Sequence, residues 1–163
     1  MNIGPIRFNR TERAFTLTAE IWLPQSRPEI FSFFANAGNL EALTPPWLHF
    51  EILTPSPIQM AVNALIDYQL RVHGWPVRWQ TQITAWEPPV RFVDEQLRGP
   101  YRLWRHEHTF AEAEGGTLVR DVVYYRLLGG TLVNAMFVQP DLEKVFAYRQ
   151  EKLAEHFQTR EQR

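Results

Sequence analysis

Residues 103–110 read LWRHEHTF, placing His106 and His108 two positions apart among aromatic and charged neighbours. Successive side chains of an extended chain alternate between faces, so both imidazoles leave on one side, with their Cα atoms roughly 6.5–7 Å apart. That face reads Trp104, His106, His108 and Phe110, against Leu103, Arg105, Glu107 and Thr109 on the other. The face with an aromatic at each end is the inward candidate. The same alternation groups Phe92, Asp94, Gln96 and Arg98 in 90–98, and Val119, Asp121, Val123, Tyr125 and Leu127 in 117–127. Stretches 62–73 and 76–86 offer Ile66, Tyr68, Leu70 and Val72, and Val77, Trp79, Thr81 and Ile83. Antiparallel neighbours with these faces inward bring Asp94, Gln96, His106, His108, Asp121 and Tyr125 onto one concave surface. The rest of that surface is Tyr68, Trp79, Phe92, Trp104 and Phe110.

Several chemistries use such a set. A His-x-His strand with Asp94 or Asp121 makes a three-ligand metal site, although the motif alone has a high false-positive rate and no metal or other cofactor is expected from it. A cupin-like arrangement, with Glu112 following His108, lacks the downstream glycine and the later histidine motif. In acid/base catalysis His106 or His108 would move a proton, Asp94 or Asp121 would orient it, and Tyr125 would steady an oxyanion. No nucleophile motif or cofactor fingerprint accompanies them. Binding needs less: apolar walls bury a small hydrophobic or aromatic molecule while the polar set fixes its orientation. A purely structural or protein-interaction role also remains, because buried carboxylates are costly unless paired and the set can satisfy itself.

The elements that must hold these residues follow from periodicity. AFTLTAEIW (14–22) alternates as a half-buried strand. Ser26 and Pro28 open a short helix carrying Ile30, Phe31, Phe33 and Phe34; Asn36 to Asn39 break it, and a second short helix runs from Leu40 to Leu43. After Thr44-Pro45-Pro46, six strand-like stretches extend to about residue 128, separated by turn signals at 55–57, 74–76, 87–89, 99–100 and 115–116. Short connections favour an antiparallel meander. From 141 onward Leu142, Val145, Phe146, Leu153 and Phe157 share one helical stripe with Arg149 along its edge, and Pro140 marks either the start of that helix or a kink. Residues 159–163 have the look of a frayed end. The expected architecture is α+β: a seven-stranded curved antiparallel sheet, two short helices after the first strand, and a long C-terminal helix gripped by the sheet.

The chain of 163 residues predicts one domain, 1–163, with its core over about 14–158. Its 17 basic and 18 acidic residues leave a net charge of −1, which argues against nucleic acid as a partner. With no cysteine there is no disulfide or thiolate chemistry. No signal-like or membrane-spanning run is visible, so a cytoplasmic location without integral membrane association is expected. Oligomeric state is open. Trp75-Pro76 sets a turn or stands at a pocket mouth, and His49, His73 and His156 have no companions at ligand spacing.

LTPPWLHFEIL (43–53), IDYQLRVHGWPVRW (66–79), ITAWEPPVRFVDEQLRGPYRLWRHEHTF (83–110), GTLVRDVVYY (116–125) and VFAYRQEKL (145–153) resemble the START-like or SRPBCC superfamily over nearly the whole chain, and within it a bacterial ligand-binding SRPBCC group. The superfamily includes Bet v 1-like allergens, lipid-transfer domains and polyketide cyclase/dehydrase-like proteins. The resemblance implies a helix-grip fold with an internal cavity for a lipid- or polyketide-like molecule, or a cofactor-independent cyclase/dehydratase activity. Two departures fall in loops at the expected mouth: similar sequences have glycine near Asn63, and proline before the glycine of Leu127-Leu128-Gly129-Gly130.

Overall fold

The computed structural model describes the backbone of residues 1–161 and the side chains of 1–158. Strands β1 (Asn2–Ile3) and β2 (Arg7–Arg10) precede β3 (Phe15–Leu23), followed by helices α1 (Arg27–Phe34) and α2 (Asn39–Ala42) and a 3₁₀ turn at Pro46–Leu48. Strands β4 (Glu51–Ile52), β5 (Leu65–Val72), β6 (Trp75–Glu87), β7 (Arg91–Arg98), β8 (Leu103–Ala113) and β9 (Gly116–Arg126) complete the sheet. Helix α3 (Gly130–Val133) runs through a π segment (Asn134–Val138) into α4 (Gln139–Glu161). Helix α4 continues through 159–161, where a frayed end was expected, and 162–163 lie outside the described residues.

The sheet is antiparallel throughout, in the order β1-β3-β9-β8-β7-β6-β5-β4, with β2 also on β3. The fold is the helix-grip architecture. Seven of the strands are those expected; the other two are β1 and β2, which pair with β3 at Ile21–Trp22 and at Phe15–Thr18. Segments of two and four residues are too short to show a period, and they form because the outer edge of β3 would otherwise present unpaired N–H and C=O groups.

Burial follows the alternation. On β3, Leu17, Ala19, Ile21 and Leu23 are buried with partly exposed residues between them. Across the sheet, β9 buries Val119, Asp121, Val123 and Tyr125. Helix α4 lays Leu142, Phe146, Leu153 and Phe157 onto this concave face. Gln150 locks the helix to the edge, its Nε2 donating to the carbonyls of Gly4 (3.1 Å) and Glu20 (2.8 Å).

Helical residues lie on both sides of Pro140, and the irregularity is the π segment just ahead of it. Proline has no N–H for the preceding turn, and one wide turn takes up the mismatch without ending the helix. Asn63, where similar sequences carry glycine, has φ 68°, in the left-handed region that glycine adopts freely and asparagine tolerates. No helix among the described residues is long and apolar enough to cross a membrane.

The apolar core is in two parts. One gathers Phe31, Phe92, Phe110, Val119, Leu153 and Phe157; the other gathers Leu17, Val123, Tyr125, Leu142 and Phe146. Asp121 sits on β9 between Val119 and Val123, one from each part, and His106 and His108 stand opposite Val123 and Asp121 on β8. A polar belt therefore crosses the core.

Candidate functional site

Register builds this belt. The β7–β8 pairing sets Asp94 opposite His106 and Phe92 opposite His108, while the β8–β9 pairing sets His108 opposite Asp121 and Trp104 opposite Tyr125. All these residues share the concave face, and the two imidazoles lie against each other with ring centroids 3.8 Å apart.

Two carboxylates bracket the imidazoles. On the cavity side, Asp94 Oδ2 lies 3.1 Å from His108 Nε2, hydrogen bonded, and 3.8 Å from His106 Nδ1. On the sheet side, Asp121 Oδ1 lies 2.6 Å from His108 Nδ1 and 3.2 Å from His106 Nε2. Neither of these two contacts is an in-line hydrogen bond, yet Asp121 acts on both rings through close polar contact as well as through its charge. Arg149 reaches in from α4, its Nη1 3.7 Å from Asp121 Oδ2. Phe92 stacks on His108 at 4.2 Å, and Phe146 meets His106 edge-on at 5.6 Å. The histidines and Asp121 are almost fully buried, with exposures of 6%, 4% and 5% for His106, His108 and Asp121.

Burial and charge divide the protons. For His108, burial works against the proton, but the carboxylates of Asp121 and Asp94 outweigh it and hold the ring above its ordinary pKa. His106 is pushed below its ordinary value by burial and then by its charged neighbour His108, despite Asp121. Burial would raise both acids; contacts with the histidines overcome it, lowering Asp94 and lowering Asp121 much further. At about pH 6.5, the ordinary imidazole value, these directions favour a neutral His106 and a cationic His108 beside two carboxylates and Arg149, with charges that cancel.

A cavity of about 1080 Å³ opens beside the cluster, between the sheet and α4. Tyr68, Trp79, Phe92, Asp94, Trp104, His106 and His108 line it, and Arg149, Leu70 and Phe146 contribute as well. The remaining residues of the sequence-derived set lie elsewhere. Asp121 sits behind the histidines, and Phe110 packs under Phe31 and Phe34. Tyr125 donates to Asn134 Oδ1 at 2.9 Å, its pKa pushed up to about 12 by burial against the effect of that bond. Gln96 holds its own hairpin, donating to the carbonyl of Tyr101 at 2.6 Å while accepting from the Tyr101 N–H at 3.2 Å. A second polar point lies within the cavity at Thr81 Oγ1, which takes the Trp79 Nε1–H at 3.1 Å and sits 3.2 Å from the Tyr68 hydroxyl.

Arg149 is the site residue that strand alternation does not reveal. Its signal is an arginine at the edge of the apolar stripe of α4, facing a buried acid on another element. The mouth is rimmed by Trp75 and Leu128, with His73 of the β5–β6 turn bonded to Asp141 of α4 at 2.6 Å. Trp75 is 77% exposed.

A family model described as polyketide cyclase/dehydrase and lipid transport matches residues 23–154. No curated protein matches the chain. Among solved structures, protein Ms6760 from Mycobacterium smegmatis superposes with TM-score 0.72 at 14% identity, over 97% of this chain and 99% of that one. Ginseng major latex-like protein 151 from Panax ginseng gives 0.64 at 9% identity, over 87% and 96%. The nucleoside-diphosphate sugar epimerase from Corynebacterium glutamicum gives 0.63 at 26% identity, covering 85% of this chain but 28% of that one.

Proposed function

The chain belongs to the polyketide cyclase/dehydrase and lipid transport family, and we propose that its cavity holds one small, largely apolar, aromatic or lipid-like molecule with an uncharged polar end. The observation that carries this is the cavity itself, about 1080 Å³, with Tyr68, Trp79 and Trp104 on its walls and the Asp94–His106–His108 cluster at one place only. Its size matches or slightly exceeds the range for drug-sized ligands. Apolar burial supplies affinity at about 25 cal/mol per Å², while the cluster fixes one end. Because the cluster's charges already cancel, it suits a hydroxyl, phenol or carbonyl better than a carboxylate or phosphate. Neutral His106 offers an acceptor, and cationic His108 a donor.

The test is a titration with N-phenyl-1-naphthylamine, a neutral aromatic probe, read by its own emission and by tryptophan quenching. Saturable binding is expected, and Leu70→Trp, which thrusts a larger ring from the wall into the cavity, should weaken it while leaving the circular dichroism spectrum unchanged. Binding of equal strength in Leu70→Trp would overturn the proposal.

A second reading, cofactor-independent acid/base conversion of an enolisable ligand, is favoured by one observation: the adjacent imidazoles are pushed apart in proton affinity, one toward a base and the other toward an acid. A 1,3-diketone incubated in D₂O should then take up deuterium at its acidic carbon faster with the parent protein than with His106→Gln. Recovery of the diketone at the uncatalysed exchange rate would sink this reading.

A further inference from the structure

We infer that Asp94, His106 and His108 form a binding site for a single divalent transition-metal ion, open toward the cavity. One ligand atom from each lies within 4.8 Å of the others. Asp94 Oδ2 is 3.1 Å from His108 Nε2 and 3.8 Å from His106 Nδ1. Tetrahedral ligands at 2.0–2.1 Å from a metal stand about 3.3 Å apart, so Asp94 stands close to the required spacing from each imidazole, and side-chain rotation within the 4.8 Å limit closes the site. Two imidazoles and one carboxylate suit zinc, iron, cobalt or nickel better than calcium or magnesium, which favour oxygen ligands.

The surroundings provide an independent reason. Metal-bound imidazoles are generally held through their far nitrogen by a carboxylate or carbonyl. Here one carboxylate serves both rings: Asp121 Oδ1 approaches His106 Nε2 and His108 Nδ1, the two nitrogens turned away from Asp94. Asp121 is in turn braced by Arg149. Those two nitrogens, Asp121 Oδ1 and Arg149 Nη1 are buried atoms without an in-line hydrogen-bond partner among the described residues. An arrangement built only to satisfy itself would align its N–H groups on the acceptor. Asp94, His106 and His108 line the cavity whereas Asp121 does not, which leaves the fourth coordination position facing the space where a ligand would sit. The apolar walls and the mouth give the ion an entry path shared with that ligand. A bound ion would polarise a carbonyl or hydroxyl of the molecule held there, so this inference deepens the cavity-binding proposal and rests on it for the identity of the fourth ligand.

The experiment uses the full chain, stripped with a chelator and titrated with Co²⁺ and with Zn²⁺ alone, read by cobalt visible absorption and by calorimetry. One ion per chain is expected, with the intense visible bands of a low-symmetry cobalt site. Asp94→Asn and His108→Ala should abolish saturable binding. Asp121→Asn should weaken it about 10–100-fold, the range for loss of a supporting carboxylate. His49→Ala, at an exposed histidine that does not line the cavity, should leave metal binding unchanged. The naphthylamine probe is titrated into the same samples. Absence of stoichiometric metal binding, or binding unchanged in Asp94→Asn, overturns the metal site even where the probe still binds. Loss of probe binding in the parent protein instead overturns the cavity proposal. Asp94→Asn is nearly isosteric, and its thermal unfolding is followed alongside so that a collapsed fold is not scored as a lost ligand.

Discussion

Asp121→Asn keeps the shape of a side chain that is 5% exposed and removes its charge. In the parent that carboxylate stands 2.6 Å from His108, 3.2 Å from His106 and 3.7 Å from Arg149. Its loss leaves Asp94 as the one carboxylate of the cluster acting on both His108 and Arg149. Removing one partner of a buried ion pair costs about 3–5 kcal/mol. The variant has one escape, which is to release the His108 proton. An ordinary imidazole titrates near pH 6.5, so keeping it neutral at about pH 5 costs roughly 2 kcal/mol, whereas at about pH 8 it costs nothing. The destabilisation should therefore be about 2 kcal/mol larger at the lower pH. Linkage gives the same sign. His108, raised in the folded state, contributes stability that is full below its unfolded value and lost as pH rises through its folded value. Asp121, held low, contributes stability that is present above its unfolded value near 3.9 and lost as pH falls through its folded value. Both contributions are in force between about pH 4.5 and 6.5, where the variant loses most. In the parent His106 is held low and so disfavours the fold as pH falls below its unfolded value, which opposes His108. The assay is urea unfolding of metal-free protein, with a chelator present, at about pH 5 and 8. A loss under about 1 kcal/mol at the lower pH, or an equal loss at both, would refute the charge assignment.

Phe146→Ala removes a ring that closes one core cluster and borders His106; it should cost about 3–5 kcal/mol in the same assay and also enlarge the cavity, raising its capacity for bulkier aromatic probes. Tyr125→Phe leaves the buried Asn134 side chain without the hydroxyl it accepts from, and a loss of about 1–3 kcal/mol is expected while probe affinity stays unchanged, since Tyr125 is not among the residues lining the cavity. Trp75→Ala should leave stability within about 0.5 kcal/mol, because the side chain is 77% exposed; a faster or slower approach of the probe to equilibrium at unchanged amplitude would mark it as part of the entrance.

The inward face of β3, β8 and β9 was legible because a period of two admits only two answers, and an aromatic or branched run such as Trp104 to Phe110 or Val119 to Tyr125 selects one, whereas on β7 Val93 is buried beside Phe92 and Arg98 is exposed. The same periodicity, with Pro28, Pro45 and Pro46 as punctuation, indicated the helix pair, the meander and the gripped C-terminal helix. It also assembled Asp94, His106, His108 and Asp121 before any pairing was known, since consecutive antiparallel strands must be neighbours. Strands β1 and β2 escaped notice because what makes them strands is the unpaired edge of β3, not a pattern of their own.

Position within the concave face was decided only in three dimensions. Alternation says which side a residue faces and nothing of its depth, so Gln96, Phe110, Asp121 and Tyr125 shared a face with the cavity-lining residues until packing separated them. Gln96 folded back onto its hairpin, Tyr125 met Asn134, and α4 covered part of the face. Arg149 joined the cluster through that helix packing. Proton affinities depend on distances of a few ångströms between three strands and a helix, together with the burial that makes those distances count. The residue types available for chemistry are thus properties of the local sequence, whereas which of them touch, and which nitrogen faces which oxygen, belong to long-range contacts that no periodicity encodes.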